Sequence, residues 1–199
     1  MEIINDKRFE IVVVGSGGAG SAAAIEAKLN KRDVCIVSKS LRDDNKTARA
    51  QGGIQAAFKK NDSEEKHFQD TIKAGSNNKE KLVRTLVNNA KETVLWLEKI
   101  GVEFDKKNGS YILKKGAGMS EARILSCGDA SGLGIIEPLH RKVNQLGIPV
   151  HENCLVVSIE KIRKNFKIKL KNIDEKNEKY FEIKAKCIVL ATGGDIPLE

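Results

Sequence analysis

Residues 9–20 read Phe-Glu-Ile-Val-Val-Val-Gly-Ser-Gly-Gly-Ala-Gly, and this stretch decides the fold. Its first half, residues 9–14, is apolar on both faces, which is typical of a strand buried in a parallel sheet. After the glycine-rich turn, the alanine-rich segment Ser21–Leu29 favours a helix, and residues 33–37 favour a second short strand. This order of elements predicts an α/β, Rossmann-like domain with a mostly parallel sheet and helices around it.

The glycine-rich turn has the Gly-x-Gly-x-x-Gly spacing of a dinucleotide-binding loop. In such a loop the first glycine permits a tight turn, the second lets the backbone approach a pyrophosphate, and the third lets helix and strand pack closely. The start of the following helix then presents free amides and the positive end of its dipole to the phosphates. The turn predicts a dinucleotide site formed by Gly15, Ser16, Gly17, Gly18, Ala19 and Gly20.

The end of the second strand bears on the kind of dinucleotide. A nicotinamide dehydrogenase holds the ribose hydroxyls with an acidic residue at this point. Here the strand ends at Val37 and is followed by Ser38 and Lys39, without a carboxylate. A plain NAD dehydrogenase is therefore disfavoured, and the hydroxyl of Ser38 is the candidate partner for a ribose or a phosphate.

The rest of the chain predicts more helices and a small antiparallel β meander. Helices are predicted over 54–59, 63–74 and 78–100, with a last one that contains Pro138 and ends near Leu146, whereas 106–129 is predicted to be loop. Strands are predicted over 153–162, 165–171 and 179–184, and the run Cys187–Leu190 leads into a last glycine turn.

The helix predicted over 78–100 is the longest. Asn77 and Glu80 have the spacing of a capping box at its start, and Gly101 is expected to end it. Its apolar stripe consists of Leu82, Val83, Leu86, Val87, Ala90, Val94 and Leu97.

Composition excludes several classes of protein. The 35 basic and 27 acidic residues give a formal net charge of +8, but no basic run is interleaved with aromatic residues, so nucleic-acid binding is not expected. No apolar run reaches the length of a membrane span, and the start lacks the features of a signal peptide. The cysteines are far apart, and Cys35, Cys154 and Cys187 are expected to be buried and inert. We expect a reduced cytoplasmic protein without a metal site or direct membrane insertion.

A second candidate segment, residues 45–54, reads Asn-Lys-Thr-Ala-Arg-Ala-Gln-Gly-Gly-Ile. Paired glycines after small residues suit a backbone that lies against a flat ring. An ordinary flexible loop is the alternative that this segment alone leaves open.

Together these motifs resemble the flavoprotein family that includes the flavoprotein subunits of succinate dehydrogenase and fumarate reductase and L-aspartate oxidase. The motifs occur in family order across the whole chain. They are residues 15–20, Ser38-Lys39, residues 50–54, 67–71, Trp96-Leu97, residues 101–105, Arg123, residues 129–132 and residues 191–194.

The resemblance implies an FAD bound in extended form. The glycine turn would face the pyrophosphate, Ser38 and Lys39 would lie at the adenosine ribose, and the backbone of Cys154 and Leu155 would touch the adenine. The residues implied to line the flavin ring are Thr47, Ala48, Arg49, Ala50, Gln51, Gly52, Gly53 and Ile54. Those implied to close the turn near the pyrophosphate are Ala191, Thr192, Gly193 and Gly194.

Lys46 departs from the respiratory members of the family, which carry at this position a histidine that bonds covalently to the flavin. Because an ordinary lysine amine is mostly protonated at pH 7, it is a poor nucleophile. We therefore expect a non-covalent FAD, as in L-aspartate oxidase.

The resemblance further implies hydride transfer between FAD N5 and a C4 dicarboxylate such as fumarate or succinate. Electrons would pass to a partner such as an iron–sulfur subunit. Any association of the protein with a membrane would be peripheral and would occur through such partners. In the family a capping domain after residues 191–194 supplies the residues that bind and turn over the substrate. Residues 1–199 are thus expected to be the amino-terminal portion of an FAD-binding domain, inactive alone and without catalytic residues, the capping domain and carboxy-terminal half being absent.

Three histidines, His67, His140 and His151, do not match the catalytic positions of the family. His67 is expected to organise the start of its helix, and the other two to be surface or packing residues. Two alternatives stay open: an L-aspartate oxidase of NAD biosynthesis, and a non-catalytic FAD-binding fragment or split subunit that needs a partner.

Overall fold

A six-stranded sheet forms the centre of the larger of two units in the computed structural model, which describes residues 7–39, 45–173 and 179–194. The first unit takes the described residues of Met1–Arg49 and Leu139–Glu199, and the second is Ala50–Pro138. In chain order the elements are β1 (Lys7–Val14), α1 (Gly18–Leu29), β2 (Val34–Val37), β3 (Ile54–Gln55), α2 (Glu64–Ala74), α3 (Glu80–Ile100), β4 (Lys106–Lys107), β5 (Ser110–Tyr111), β6 (Ile124–Leu125), α4 (Ser131–Gln145), β7 (Val150–His151), β8 (Cys154–Ile162), β9 (Asn165–Asn172) and β10 (Tyr180–Leu190).

The six strands follow the order β7-β2-β1-β10-β9-β8. The neighbours β7, β2, β1 and β10 run parallel, whereas β10, β9 and β8 form an antiparallel meander. This arrangement confirms the predicted α/β class with its mostly parallel sheet and small meander. It also places the carboxyl ends of β1, β2 and β10 at one edge, which is where open α/β sheets bind their ligands.

One buried cluster of this unit spans both the parallel and the antiparallel half of the sheet. Its buried members are Val12, Val14, Cys35, Val37, Cys154, Ile168, Leu170, Ile183 and Ala185. Ile168 and Leu170, which alternate with lysines along β9, are fully buried, as expected for a strand with one face toward the core. The sequence predicted two separate runs, 179–184 and Cys187–Leu190, where the structure has the single strand β10. The buried side chains of Ile183 and Ala185 belong to this cluster and continue the strand across the gap between the two runs.

The exposed thiol of Cys187 corrects the expectation that this cysteine is buried, whereas Cys35 and Cys154 are buried as predicted. The reason lies in the sheet, because β9 pairs with β10 only as far as Ala185 and leaves the end of β10 open on that side.

Helices α2 and α3 of the second unit lie within two residues of their predicted bounds, but the predicted cap of α3 differs. Helix α2 begins after Ser63, whose Oγ accepts a hydrogen bond from the amide of Lys66 at 3.1 Å. Helix α3 ends at Gly101, which is left-handed at φ +108°, as predicted. The predicted capping box of Asn77 and Glu80 is wrong: the cap residue is Lys79, without a side-chain bond.

The buried stripe of α3 is narrower than predicted. Val83, Val87, Ala90, Val94 and Leu97 are buried, and they recur every three or four residues. Leu82 and Leu86 each lie one residue before a buried valine, outside this stripe, and their side chains are 63% and 57% exposed.

Two further segments differ from the prediction. The helix predicted over 54–59 is wrong, because Ile54 and Gln55 pair antiparallel with Leu125 and Ile124. The segment 106–129, predicted to be loop, contains the two-residue strands β4, β5 and β6. Pro138 lies inside α4, as predicted, and no helix among the described residues is long and apolar enough to cross a membrane.

Candidate functional site

The glycine turn between β1 and α1 is built so that two of its glycines cannot be replaced. Gly15 has φ +110°, and a Cβ there would stand 2.8 Å from the carbonyl carbon of Ala191 and closer still to its oxygen. A Cβ on Gly20 would stand 2.9 Å from the carbonyl carbon of Gly15. The first and last glycines of the fingerprint therefore serve the tight turn and the close packing of helix on strand that the sequence predicted.

Ser16 is held in this turn by hydrogen bonds of both its side chain and its carbonyl oxygen. It is buried, and its Oγ lies 2.9 Å from the Oγ of Ser38 at the end of β2. Its carbonyl oxygen accepts from the Oγ of Ser21 at 3.0 Å and lies 2.9 Å from Nε2 of His140 in α4. Because a carbonyl oxygen only accepts, Nε2 must carry the proton.

The start of α1 offers a suitable place for an anion. Its cap residue is Gly17, its first turn has no acidic side chain, and the amide of Gly18 donates to Oγ1 of Thr47 at 3.1 Å. A Cβ on Gly17 would have only ordinary contacts, with the side chains of Thr47 at 3.5 Å and Asn45 at 4.0 Å. These features fit the pyrophosphate of a dinucleotide.

Thr47 thus contacts the glycine turn, which belongs to the same unit. Its short loop is shaped by Asn45, whose Oδ1 accepts from the amide of Ala48 at 3.0 Å. Lys46 and Arg49 are exposed, and Ala48 is buried. That Lys46, Thr47, Ala48 and Arg49 lie near the flavin ring stays a prediction.

The candidates for the adenosine end lie together beyond β2. The amide of Ser38 donates to the carbonyl of His151 at 2.9 Å, and its carbonyl accepts from the amide of Cys154 at 2.8 Å. Lys39 and Leu155 are exposed beside them. The structure therefore brings two of the predicted ribose and adenine residues, Ser38 and Cys154, into direct hydrogen-bond contact.

The last candidate segment of this unit follows β10. The amide of Ala191 donates to the carbonyl of Val14 at 2.8 Å, which sets Ala191 against the glycine turn. Thr192, Gly193 and Gly194 are exposed, and Gly193 has φ +73°.

In the second unit, Ala50, Gln51, Gly52 and Gly53 are exposed and lead into β3, where Ile54 is half-buried. Gly53 has φ +99°, and a Cβ there would stand 3.0 Å from the carbonyl carbon of Leu125. The backbone of Gly52 faces open space, with no heavy atom within 4 Å of a Cβ built on it. An exposed, side-chain-free backbone of this kind fits a planar ring laid against it.

A fully buried arginine holds the strand next to this segment. Arg123 donates from Nε and Nη2 to Asp62 at 2.9 and 2.8 Å, and from Nη1 to Asp70. Its carbonyl accepts from the amide of Ala56 at 3.0 Å, next to the β3–β6 pair. These contacts give Arg123 a structural role, in which it ties the start of β6 to α2 and to the segment before α2.

The charges of this cluster shift the pKa values of its carboxyls. Burial alone raises the pKa of Asp70, but hydrogen bonds from Ser120 and Arg123 outweigh it and hold the pKa at about 2. Burial also raises the pKa of Asp62, but the hydrogen bonds from Arg123 and from the amide of Ser63 outweigh it, so that the pKa is lowered. Both carboxyls are therefore ionised at neutral pH.

A cavity of about 610 Å³ opens beside Gly53 in the same unit. It is lined by Gly53, Ile54, Gln55, His67, Thr71, Thr85, Leu86, Asn89, Ala90 and Thr93. His67 is buried, its Nδ1 has no hydrogen-bond partner among the described residues, and burial, aided by Arg123, lowers its pKa. The helix start that His67 was expected to organise is capped by Ser63 instead.

The other two histidines differ from each other. His151 packs edge-on against Phe9 and at a tilt against Phe181, and burial is the main cause of its lowered pKa, so it fits the predicted packing role. His140 reaches the glycine turn, which sequence reasoning missed. Its place four residues after Ile136, on the buried face of α4, is the signal that marks it as an inward side chain.

Two of the cysteines have pKa values well above that of an ordinary thiol. Burial raises the pKa of Cys35 to about 12 and, with Asp105, that of Cys127 to about 11, so neither is a reactive thiolate. Within the described ranges no three metal-ligating side chains gather into a group.

Comparison with known proteins agrees with this geometry. The family model described as FAD binding domain matches residues 10–196. The chain is 36% identical over 208 residues to L-aspartate oxidase of Vibrio cholerae, covering 98% of this chain and 38% of that protein. It is 36% identical over 202 residues to NADH:fumarate oxidoreductase of Klebsiella pneumoniae, covering 94% of this chain and 20% of that protein.

Solved structures show the same relationship. FrdA of Escherichia coli quinol fumarate reductase superposes with a TM-score of 0.87 at 26% identity, covering 96% of this chain and 33% of that chain. The Sdh1 complex of Mycobacterium smegmatis gives a TM-score of 0.86 at 28% identity, covering 96% and 35%. The chain thus spans well under half the length of these relatives. It belongs to the FAD-binding domain family of oxidoreductases that includes the L-aspartate oxidases and the flavoprotein subunits of fumarate reductase and succinate dehydrogenase.

Proposed function

We propose that residues 1–199 form the FAD-binding part of an oxidoreductase that acts on a C4 dicarboxylate of the fumarate or succinate type. The observation that carries the proposal is the turn from Gly15 to Gly20, which is closed by Ala191 and followed by a helix start without acidic side chains. Membership of the family makes FAD the dinucleotide that this turn suits.

Each candidate segment has a role in this proposal. The glycine turn and Thr47 would hold the pyrophosphate, Ser38 would bond to the adenosine ribose, and the backbone at Cys154 would contact the adenine. The backbone from Ala50 to Ile54 would lie against the flavin ring. When bound, FAD would supply the hydride acceptor or donor, while these residues bind and orient it.

The FAD is proposed to be non-covalent. Lys46, which stands where the respiratory members of the family carry a histidine, is an exposed lysine. Such a group adds positive charge near an anionic cofactor but is a poor nucleophile toward the flavin.

Substrate binding and turnover are proposed to require segments outside these 199 residues. An arginine could bind the carboxylates of such a substrate, but the buried guanidinium of Arg123 is already paired with Asp62 and Asp70. The proposal therefore assigns no catalytic residue to this chain and expects it to be inactive alone.

An L-aspartate oxidase of NAD biosynthesis is the second candidate. Lys46 favours it. Sequence identity does not separate the two candidates, because the chain is 36% identical both to the L-aspartate oxidase of V. cholerae and to the NADH:fumarate oxidoreductase of K. pneumoniae. A non-catalytic fragment or split subunit is the third candidate, favoured by the small share of each relative that the chain covers.

Partners and location follow from the relatives and are likewise proposals. FrdA belongs to a quinol fumarate reductase, and Sdh1 forms a complex, which supports a partner that exchanges electrons with the flavin, such as an iron–sulfur subunit. We propose a cytoplasmic protein that is peripheral to the membrane only through such partners.

Visible absorption of the purified chain mixed with FAD tests the proposal. We expect protein-bound flavin bands that move into the supernatant after acid precipitation. Colour that stays in the pellet would show a covalent bond, and chain that binds no FAD at any concentration would refute an autonomous site. Mixing the loaded, chemically reduced chain with fumarate should leave the flavin reduced, and rapid reoxidation under anaerobic conditions would contradict the assignment of catalysis to other segments.

A further inference from the structure

The peptide between Ser16 and Gly17 is held from two helices. Its carbonyl oxygen accepts from the Oγ of Ser21 in α1 at 3.0 Å and from Nε2 of His140 in α4 at 2.9 Å. Both lone pairs of the oxygen are thereby used. Ser16 and His140 are 4% and 7% exposed, so water does not compete freely for either bond.

Helix α4 holds the imidazole of His140 in place. Its neighbours on the helix, Ile136, Leu139 and Val143, are almost completely buried, which anchors that face of the helix. The His140 ring therefore meets the turn as a fixed donor rather than as a mobile surface side chain.

Fixing this carbonyl also fixes the next amide. In a trans peptide the C=O and N–H bonds lie in one plane and point in opposite directions. With the oxygen of Ser16 held on the side of His140, the N–H of Gly17 must point to the opposite side. Gly17 is the cap residue of α1, where the amides face an anion in a dinucleotide site.

We propose that His140 is a positioning residue of the FAD site. Its Nε2–H bond to the Ser16 carbonyl sets the peptide plane that directs the Gly17 amide toward the pyrophosphate. His140 itself touches neither the cofactor nor the reacting atoms. This inference rests on the proposed FAD-binding function and assigns a role to a histidine that lies 124 residues from Ser16 in the chain.

A pair of substitutions separates positioning from mere packing. The amide Nε2 of glutamine is an N–H donor and is as many bonds from Cβ as Nε2 of the imidazole, whereas leucine fills the space without a donor. We expect His140→Leu to raise the Kd for FAD about tenfold, and His140→Gln to stay within about threefold of the wild type. Arg141→Gln, at an exposed neighbouring position, is the control and should leave the Kd unchanged.

A second readout does not depend on FAD. Nitrogen-15 NMR of the chain should show His140 as the tautomer protonated on Nε2, and the amide signal of Gly17 should move in His140→Leu but far less in His140→Gln. An unprotonated Nε2 would overturn the proposal, as would equal loss of affinity, or an equal shift of the Gly17 signal, in the two variants. If the wild-type chain binds no FAD, the proposed function fails, and these NMR signals still decide whether His140 sets the turn.

Discussion

At the scale of single residues, the glycines of the fingerprint are not equivalent. Gly15 and Gly20 lie against backbone that leaves no room for a Cβ, whereas a Cβ on Gly17 would meet Thr47 at an ordinary 3.5 Å. The spacing of the motif does not show which of these positions exclude a side chain, whereas the packing of α1 and β10 around the turn does.

Gly20→Ala should disrupt the turn. Its methyl group would collide with the Gly15 carbonyl, which is backbone and cannot rotate away, so we expect a loss of about 3 kcal/mol or more in the free energy of unfolding. Urea unfolding followed by circular dichroism measures this loss. Gly18→Ala is the matched control and should stay within about 1 kcal/mol of the wild type, because alanine favours a helix and its neighbour is a side chain. Equal effects of the two substitutions would show that the close approach at Gly20 is absent.

At the scale of elements, the ion cluster of Arg123 joins the loop before β6 to α2 and to the segment before it. The arginine is completely buried, and it binds one carboxylate from each of these two places. Breaking such a cluster leaves an unpaired charge in the interior, which costs far more than loss of a surface pair.

Asp62→Asn tests the cluster against a surface pair in the same unit. We expect it to lower the free energy of unfolding by about 3–5 kcal/mol, because Arg123 loses the charge on its bidentate partner. The exposed pair of Lys91 and Glu64, at 3.0 Å, provides the control, and Lys91→Met should cost no more than about 1 kcal/mol. A small effect of Asp62→Asn would mean that water reaches Arg123.

Acid should weaken the cluster through Asp70. Its pKa is lowered to about 2 in the folded chain, against about 3.9 for an unfolded aspartate, so the unfolded chain takes up the proton first as pH falls. The stabilisation is thus complete above about pH 4 and disappears as the pH falls toward 2. Unfolding free energies measured across this window should fall more steeply in the wild type than in Asp70→Asn. Direct NMR titration of the Asp70 carboxyl provides the check, and a midpoint near 3.9 would contradict the low value.

Most elements could be predicted from the sequence because the spacing of apolar residues differs between strands and helices. Examples are β1, α1, α2 and the buried stripe of α3. Prediction failed where partners distant in the chain decide the conformation. Ile54 and Gln55 form a strand because Ile124 and Leu125 lie beside them, and no helical period in 54–59 reveals that pairing. The contact of Thr47 with Gly18 and that of His140 with Ser16 are likewise tertiary, so local patterns identified the glycine turn but not the side chains that hold it.

At the scale of the whole molecule, the described candidate residues divide between the two units. The glycine turn, Ser38, Cys154 and Ala191 belong to the first unit, and Ala50–Ile54 belongs to the second. A ligand that binds the folded chain and not the unfolded chain stabilises the fold by mass action, whichever residues contact it. Thermal unfolding with different parts of FAD as ligands can therefore show which end of the cofactor the chain holds.

FAD at 100 times its Kd should add about 2.7 kcal/mol to the free energy of unfolding. For a chain of this size that corresponds to a rise in Tm of about 5–10 °C. ADP, which carries the pyrophosphate and adenosine, should also raise the Tm, because the first unit contains all of the residues proposed for that end. Riboflavin should raise it far less, since the exposed backbone from Ala50 to Gly53 offers a ring surface but no charge to hold it. A rise with riboflavin and none with ADP would move the main binding contribution from the glycine turn to the ring segment, and would contradict the assignment of the turn as the principal anchor of the cofactor.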